Sequence, residues 1–235
     1  QAAGPVASNK IQVVDGVVQP QRPVTEAIAD AMQFLKKADG AYVPGKMDGE
    51  LAGYFTSAFV NSDGSRSARK LSFPARQHAY FIFTFLLYHD YSGEKEWLLR
   101  ARDLADWNLL HLTPTNAAYP NLPYSTMTDG KPGGSKDGDS IEPDKDAFIG
   151  SAYVKLFEVT QDKKYLDEAR AIADVLVRHQ NKDGSWPFRV LPEDGKVQQE
   201  FGGAAVFFVQ FFEDILRHEN KSAYRKAHDQ ALKLM

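Results

Sequence analysis

Four polar side chains stand close together at the start of a strongly apolar segment, in the run Arg76-Gln77-His78-Ala79-Tyr80. An arginine can neutralise the carboxylate of an acidic sugar, and a histidine or tyrosine one helical turn away can take up or return a proton. The spacing therefore suits β-elimination from a uronate, with Arg76 binding the carboxylate and His78 or Tyr80 serving as base and acid. The alternative for His78 is a packing role, because buried polar groups beside an aromatic core are usually hydrogen-bonded there.

The acidic loop from Asp137 to Asp146 is the second candidate for chemistry. Asp144 follows Pro143, so it could cap a helix, and Asp146 could complement the positive end of the helix dipole. Alternating acids also offer oxygen ligands to calcium, although their spacing does not match an EF-hand loop. The functional interpretation assigns Asp144 to substrate binding and Asp146, one turn into a rigid helix, to orienting the catalytic groups.

Aromatic and cationic side chains are combined in a third place, the loop from Arg178 to Arg189. An aromatic plane near a guanidinium suits a sugar ring and its carboxylate, so Trp186 is predicted to stack on sugar and Arg189 to bind charge and assist catalysis. Trp186 could instead anchor the loop to the body of the protein. Tyr124, in another long loop, is the second predicted stacking residue, because sugar C–H faces pack on aromatic rings.

Composition excludes several classes of function. The chain has 235 residues, is 43% hydrophobic and carries a formal net charge of −3, so it can bury a sizeable core and lacks the basic surface typical of nucleic-acid binding. There is no cysteine, which excludes thiol catalysis and Cys-ligated zinc. No apolar run approaches the roughly 18 residues needed to cross a bilayer, which predicts no membrane insertion. Gly-rich phosphate loops, Ser-centred elbows and His-Glu-x-x-His zinc motifs are also missing.

The elements that must position these residues are helices. Seven segments have helical periodicity, and strongly apolar segments alternate with two-faced ones, as expected when inner helices are surrounded by neighbours and outer helices are half exposed. The segments are Pro23–Ala38, Pro74–Tyr91, Lys95–Leu112, Asp144–Thr160, Lys164–His179, Glu200–His218 and Ala223–Leu234. The pattern predicts a mainly α-helical domain over residues 23–235, built from helical hairpins, after an extended N-terminal segment of residues 1–22.

Long connections lead into the apolar helices and short ones lead out of them. Three connections are long. Long loops within a compact domain are usually functional, and these three loops would meet at the N-terminal ends of the inner helices. The segment from Phe188 to Phe201 is interrupted by Pro192-Glu193-Asp194-Gly195 and is typical of a small β-hairpin, so some β structure is expected in the loops. The three long connections run from Asp39 to Phe73, from Thr113 to Pro143 and from Asn181 to Gln199.

Two sequence features resemble those of α/α-toroid proteins, especially secreted carbohydrate-active lyases and glycosidases. One is a helical turn that ends at Gly93 or Gln161 and is followed by Lys-x-Trp/Tyr-Leu, and the other is the loop Gln180-Asn181-Lys182-Asp183-Gly184-Ser185-Trp186-Pro187. This loop is also similar to the Gln-Trp repeat of terpene cyclases, but the Asp-x-Asp-Asp motif of cyclases is missing. The resemblance covers roughly Pro74 to Leu234. It implies an incomplete α/α toroid of about three to four helical hairpins, which a longer chain or a second chain could complete.

These observations predict a carbohydrate-active protein that acts on an acidic, uronate-containing polysaccharide, as a polysaccharide lyase using β-elimination. Two alternatives stay open: a glycoside hydrolase with paired carboxylates, and a glycan-binding module without catalysis. No cofactor is expected apart from the calcium alternative. Gln1 to Pro5 has the small residues found beside a signal-peptidase cut, which favours a secreted or periplasmic location.

Overall fold

The computed structural model describes residues 13–18, 23–36, 42–43, 54–55, 58–60, 66–68, 71–128, 131–132 and 139–235. The chain divides into two compact units, residues 1–39 and residues 40–235. In the first unit, β1 (Val13–Val14) and β2 (Val17–Val18) form an antiparallel hairpin, and α1 spans Val24–Lys36. The hairpin turn is Asp15-Gly16, both with positive φ, as two-residue hairpin turns require. The domain boundary predicted after residue 22 stays a prediction.

Six α-helices dominate the described part of the second unit. They are α2 (Ala79–Ser92), which continues a π-helical turn over Pro74–His78, α3 (Lys95–Leu109), α4 (Pro143–Thr160), α5 (Lys163–Arg178), α6 (Ala205–Leu216) and α7 (Ser222–Leu232). These helices confirm the predicted segments, with ends that differ by a few residues.

The helices form three consecutive hairpins with an inner and an outer member. α2 packs on α3 and α4, α4 packs on α2, α5 and α6, and α6 packs on α4 and α7. Gly150 on α4 allows α4 and α6 to approach closely, since a Cβ atom built there would lie 2.5 Å from Cε2 of Phe211 on α6. The predicted pairing is confirmed: α2, α4 and α6 are inner, and α3, α5 and α7 are their outer partners. The expectation that the first inner helix is surrounded by neighbours is wrong, because Tyr80, Leu87 and Tyr91 on α2 are more than half exposed.

In each of the first two hairpins, a matching turn joins the inner helix to its outer partner. Gly93 after α2 and Gln161 after α4 both adopt the left-handed conformation, with φ of 73° and 58°. Their backbone N–H groups donate to the carbonyls of His89 at 2.8 Å and Phe157 at 2.7 Å, which closes each helix end. The shared turn explains why both hairpins need so few connecting residues.

Short strands lie in the described parts of the long connections. They are β3 (Tyr42–Val43), β4 (Tyr54–Phe55), β5 (Ala58–Val60), β6 (Arg66–Ala68), β7 (Leu71–Ser72), β8 (Met127–Thr128), β9 (Lys131–Pro132), β10 (Pro187–Val190) and β11 (Val197–Gly202). β3 pairs with β4 and β5 with β6, β7 to β9 form one sheet, and β10 pairs with β11, each pair being antiparallel.

The hairpin predicted between Phe188 and Phe201 is confirmed by β10 and β11, and it shortens the following helix. α6 was predicted from Glu200 but begins at Ala205. Glu200 and Phe201 lie in β11 instead, where the Phe201 ring stacks on Phe188 with centroids 4.5 Å apart. The tertiary pairing therefore outweighs the helical periodicity at this end. None of the described helices is long and apolar enough to cross a membrane.

Candidate functional site

A pocket of about 270 Å³ opens at the N-terminal ends of the first two inner helices. Arg76 comes from the π-helical turn, Glu142 and Lys145 from the start of α4, and Phe188 and Arg189 from β10. The remaining lining residues are Phe73, Ala75, Ser125 and Thr126. Four stretches of the sequence thus meet at one opening, as the positions of the long connections predicted. The pocket unites Arg76 and Arg189, the two residues predicted to bind a carboxylate.

Cations predominate in the lining of this pocket. Arg76, Lys145 and Arg189 face one lining carboxylate, that of Glu142. Arg189 donates through Nη2 to Oε1 of Glu142, so one cation has an acid beside it. Arg76 is exposed, and no carboxylate in the described ranges forms an ion pair with it. The local charge is therefore suited to an anionic group.

Lys145 is the pocket cation that sequence reasoning missed. Its Nζ lies 2.8 Å from Oδ2 of Asp144, 5.1 Å from the centre of the Phe207 ring and 5.8 Å from that of Phe188. Ring faces attract cations at these distances, so the ammonium is held between an acid and two aromatic rings. The available sequence signal was a lone cation between two acids in the first turn of a helix.

Asp144 lies behind the pocket rather than in it. Its side chain is 1% exposed, and Oδ2 accepts hydrogen bonds from the Ala204 N–H at 3.1 Å and from Lys145. The predicted capping role is wrong, because Glu142 occupies the N-cap position and no side chain caps α4. Direct substrate binding by Asp144 does not fit this placement either, since the carboxylate meets the pocket only through Lys145.

Asp146 is fully buried and does not line the pocket. Burial, followed by the charges of Asp144, Glu142 and Glu168, raises the pKa of its carboxyl well above the usual range. Neither carboxylate oxygen has a hydrogen-bond partner among the described residues. Among the described residues, no hydrogen bond of Asp146 supports its predicted role in orienting catalytic groups, which stays a prediction.

The two predicted proton-transfer residues have opposite environments. His78 is fully buried, with Nδ1 2.7 Å from Oδ1 of Asn108 and its ring edge on to Trp107 at 5.4 Å. The packing alternative for His78 therefore fits its position. Tyr80 is 51% exposed and rests against Phe148 with ring centroids 4.7 Å apart, so its hydroxyl is the accessible group of the pair.

The predicted sugar-stacking residues are both buried. Trp186 is 1% exposed, stacks on Phe208 at 3.9 Å and donates from Nε1 to the carbonyl of Leu176 at 2.8 Å. Its placement corrects the stacking prediction and matches the loop-anchoring alternative. Tyr124 packs with Trp107 and Met127, and burial raises the pKa of its hydroxyl. The aromatic residues that line the pocket are Phe73 and Phe188.

Within the described ranges, no group of three or more His, Asp and Glu side chains is arranged to hold a metal ion. Asp137, one of the acids behind the calcium alternative, lies outside the described residues. The polar chemistry of the pocket thus rests on its cations, on Glu142 and on the hydroxyls of Ser125 and Thr126.

The sequence matches no family model and no curated protein. Similar solved structures are found among enzymes that handle sugars. Cellobiose 2-epimerase from Spirochaeta thermophila matches 90% of this chain and 53% of its own, with 12% identity and a TM-score of 0.66. A family 76 α-mannanase from Bacteroides thetaiotaomicron matches 89% of this chain and 56% of its own, with 17% identity and the same TM-score of 0.66. A D-mannose isomerase matches 89% and 49%, with 15% identity and a TM-score of 0.64.

These likenesses show the fold. The chain is mainly α-helical and forms an incomplete α/α toroid decorated by small β-hairpins, as predicted. It spans about half the length of the solved structures that it matches.

Proposed function

We propose that this chain belongs to a carbohydrate-active protein that binds an acidic polysaccharide in the pocket of Arg76, Lys145 and Arg189 and cleaves it by β-elimination. The observation that carries the proposal is the convergence of three cations from three separate segments around one small opening. The likeness to a cellobiose epimerase, an α-mannanase and a mannose isomerase supports a saccharide as the ligand.

Neutralising the carboxylate of a uronate is the first requirement of β-elimination, because the proton next to a carboxylate is removed more easily once that charge is compensated. Arg76 and Arg189 would bind the carboxylate, with Lys145 beside them. At about 270 Å³ the pocket is slightly smaller than the sites of about 300–1,000 Å³ that hold drug-sized ligands, which suits one sugar unit. Tyr80, exposed and four residues after Arg76, would take the proton from the carbon next to the carboxylate and return it to the glycosidic oxygen. That oxygen leaves as its bond to the sugar ring breaks and a C=C bond forms in the ring.

Hydrolysis fits the pocket less well. A glycoside hydrolase needs two carboxyl groups that flank the scissile bond. Glu142 is the one described carboxylate in the lining, and it is bound to Arg189, whereas Asp144 and Asp146 are buried.

Glycan binding without catalysis is the second candidate. The observation in its favour is that Tyr80 is not among the residues that line the pocket. A binding module needs only the cations, the hydroxyls and the Phe188 ring. A secreted or periplasmic location goes with either candidate, because both act on a polymer.

The test is to incubate the protein with a panel of uronate polymers. Unsaturated products that absorb ultraviolet light support β-elimination, new reducing ends without that absorbance support hydrolysis, and binding without either product supports the second candidate. Arg76→Ala should weaken binding or turnover at least about tenfold. Arg225→Ala, an exposed arginine in the first turn of α7, is the matched control. If no uronate polymer binds, or if the two variants behave alike, the proposal is wrong.

A further inference from the structure

Two of the three pocket cations each form an ion pair with a carboxylate. Lys145 is paired with Asp144, and Arg189 is paired with Glu142. An acid beside an anion-binding group repels the anion, so such pairs reduce the attraction that the cations alone would provide. Their presence in a cationic pocket therefore needs a reason other than net charge.

Asp144 is fixed from several directions. Its carboxylate accepts the backbone N–H of Ala204, just before α6, while the residue itself lies in the first turn of α4. Gly203 adds to the enclosure, because a Cβ atom there would stand 3.0 Å from the Cβ of Asp144. The carboxylate is thus a rigid point between two inner helices.

Lys145 is flexible by nature. Its ammonium ends a chain of four methylene groups and loses rotamer freedom when it is held in one place. In this structure the ammonium is held by Asp144 and by the rings of Phe188 and Phe207, and the side chain is 15% exposed. The conformational entropy of the Lys145 side chain is therefore lost on folding, and not when a ligand binds.

We infer that Asp144 is a positioning residue, which never touches the saccharide and acts by holding the Lys145 ammonium where the carboxylate of the sugar binds. The inference rests on the proposed function. It makes Lys145, absent from the set predicted from sequence, a third contact for the anionic group beside Arg76 and Arg189.

Positioning and simple charge predict opposite results for one substitution. Asp144→Asn removes a negative charge close to the pocket, so charge alone would strengthen the binding of an anion. Positioning would weaken it, because the amide holds the ammonium poorly. The variant keeps an oxygen that can accept the Ala204 N–H, so the link between α4 and α6 is retained.

The experiment measures the affinity of oligogalacturonate and oligoglucuronate by calorimetry for the wild type, Asp144→Asn, Lys145→Gln and the double variant. We expect each single variant to bind at least about threefold more weakly, and the double variant to match Lys145→Gln, as coupled residues do. The carboxyl-reduced, neutral forms of the same oligomers should show no difference between the wild type and Asp144→Asn.

Two results would overturn the inference. One is unchanged or tighter binding by Asp144→Asn, and the other is independent, multiplying losses in the double variant. Thermal unfolding of each variant identifies any loss caused by misfolding, and Lys145→Arg, which keeps the charge and the link to Asp144, should recover part of the affinity. If Lys145→Gln and Arg76→Ala both leave binding intact, the pocket itself is misassigned and the proposed function fails. If Lys145→Gln weakens binding and Asp144→Asn does not, the positioning role alone fails.

Discussion

Trp186 lies almost parallel to Phe208, with an interplanar angle of 13° and ring centroids 3.9 Å apart. Phe208 belongs to the inner helix α6, and the indole N–H of Trp186 donates to Leu176 on the outer helix α5. The loop between α5 and β10 is therefore anchored to both layers by one side chain. Gln180 adds to this anchor by donating from Nε2 to the carbonyls of Gly184 and Ala227.

Trp186→Ala should lower the free energy of unfolding by about 3–5 kcal/mol, because it leaves a large cavity between the two layers. Trp186→Phe should cost less, since it keeps an aromatic stack while leaving the Leu176 carbonyl without its donor. Urea denaturation measures both. Oligosaccharide affinity, measured on the folded fraction, should change less than about threefold. Unchanged stability with strongly weakened binding would reinstate Trp186 as a sugar-stacking residue.

The stability of the protein should fall as the pH rises through the neutral range. Burial raises the pKa of Glu168 from 4.5 to about 8. A carboxyl group whose pKa is higher in the folded than in the unfolded state binds its proton more tightly when folded. Its contribution is complete below about pH 4.5 and is lost progressively up to about pH 8, at about 1.36 kcal/mol for each pKa unit as an upper limit.

Glu168→Gln should remove much of this slope, because the amide does not ionise. Urea unfolding at several pH values from 4 to 9 tests the prediction. Asp146 has a raised pKa for related reasons, so part of the slope should persist in Glu168→Gln and disappear in the double variant with Asp146→Asn. Glu200→Gln, at an exposed position on β11, is the control and should keep the wild-type slope. A slope that Glu168→Gln leaves unchanged would contradict the assignment.

Gly150→Ala should destabilise the protein even though alanine is the better helix former. The exchange normally gains about 1 kcal/mol in a helix. At Gly150 the new methyl group would lie 2.5 Å from the Phe211 ring, and overpacking of this kind typically costs about 1–3 kcal/mol. Thermal unfolding measures the net loss. Adding Phe211→Leu should return part of it, whereas a more stable Gly150→Ala variant would show that α4 and α6 are less closely packed.

Tyr80→Phe separates catalysis from binding. If Tyr80 transfers the proton, the variant should lose at least about 100-fold in turnover, a typical contribution of general acid-base catalysis. Its affinity for the oligosaccharide should stay within about threefold. His78→Gln should lower stability, because His78 is buried against Asn108 and Trp107. Full turnover by Tyr80→Phe would remove Tyr80 from the mechanism.

Periodicity in the sequence was enough to predict the helices and their inner or outer place. The apolar character of α4 and the two-faced character of α5 reflect what surrounds each helix, so the periodicity of apolar residues predicts which faces of a helix are buried. The turns after α2 and α4 were visible as matched sequences, and Gly93 is the residue type that favours a left-handed helix end. The left-handed conformation of Gln161 has no such signal in its residue type. The meeting of Arg76 and Arg189 followed from the lengths of the connections.

The direction of individual side chains was decided by the tertiary structure. Asp144, Lys145 and Asp146 are neighbours in sequence, yet Lys145 lines the pocket, Asp144 lies behind it and Asp146 is fully buried. Successive helical residues point about 100° apart, and the neighbours that each one meets belong to distant segments. For the same reason Trp186, predicted to stack on sugar, is buried, and Phe188, for which no role was predicted, lines the pocket. Trp186 stacks on Phe208, and the position of the Phe208 ring is set by the packing of α6.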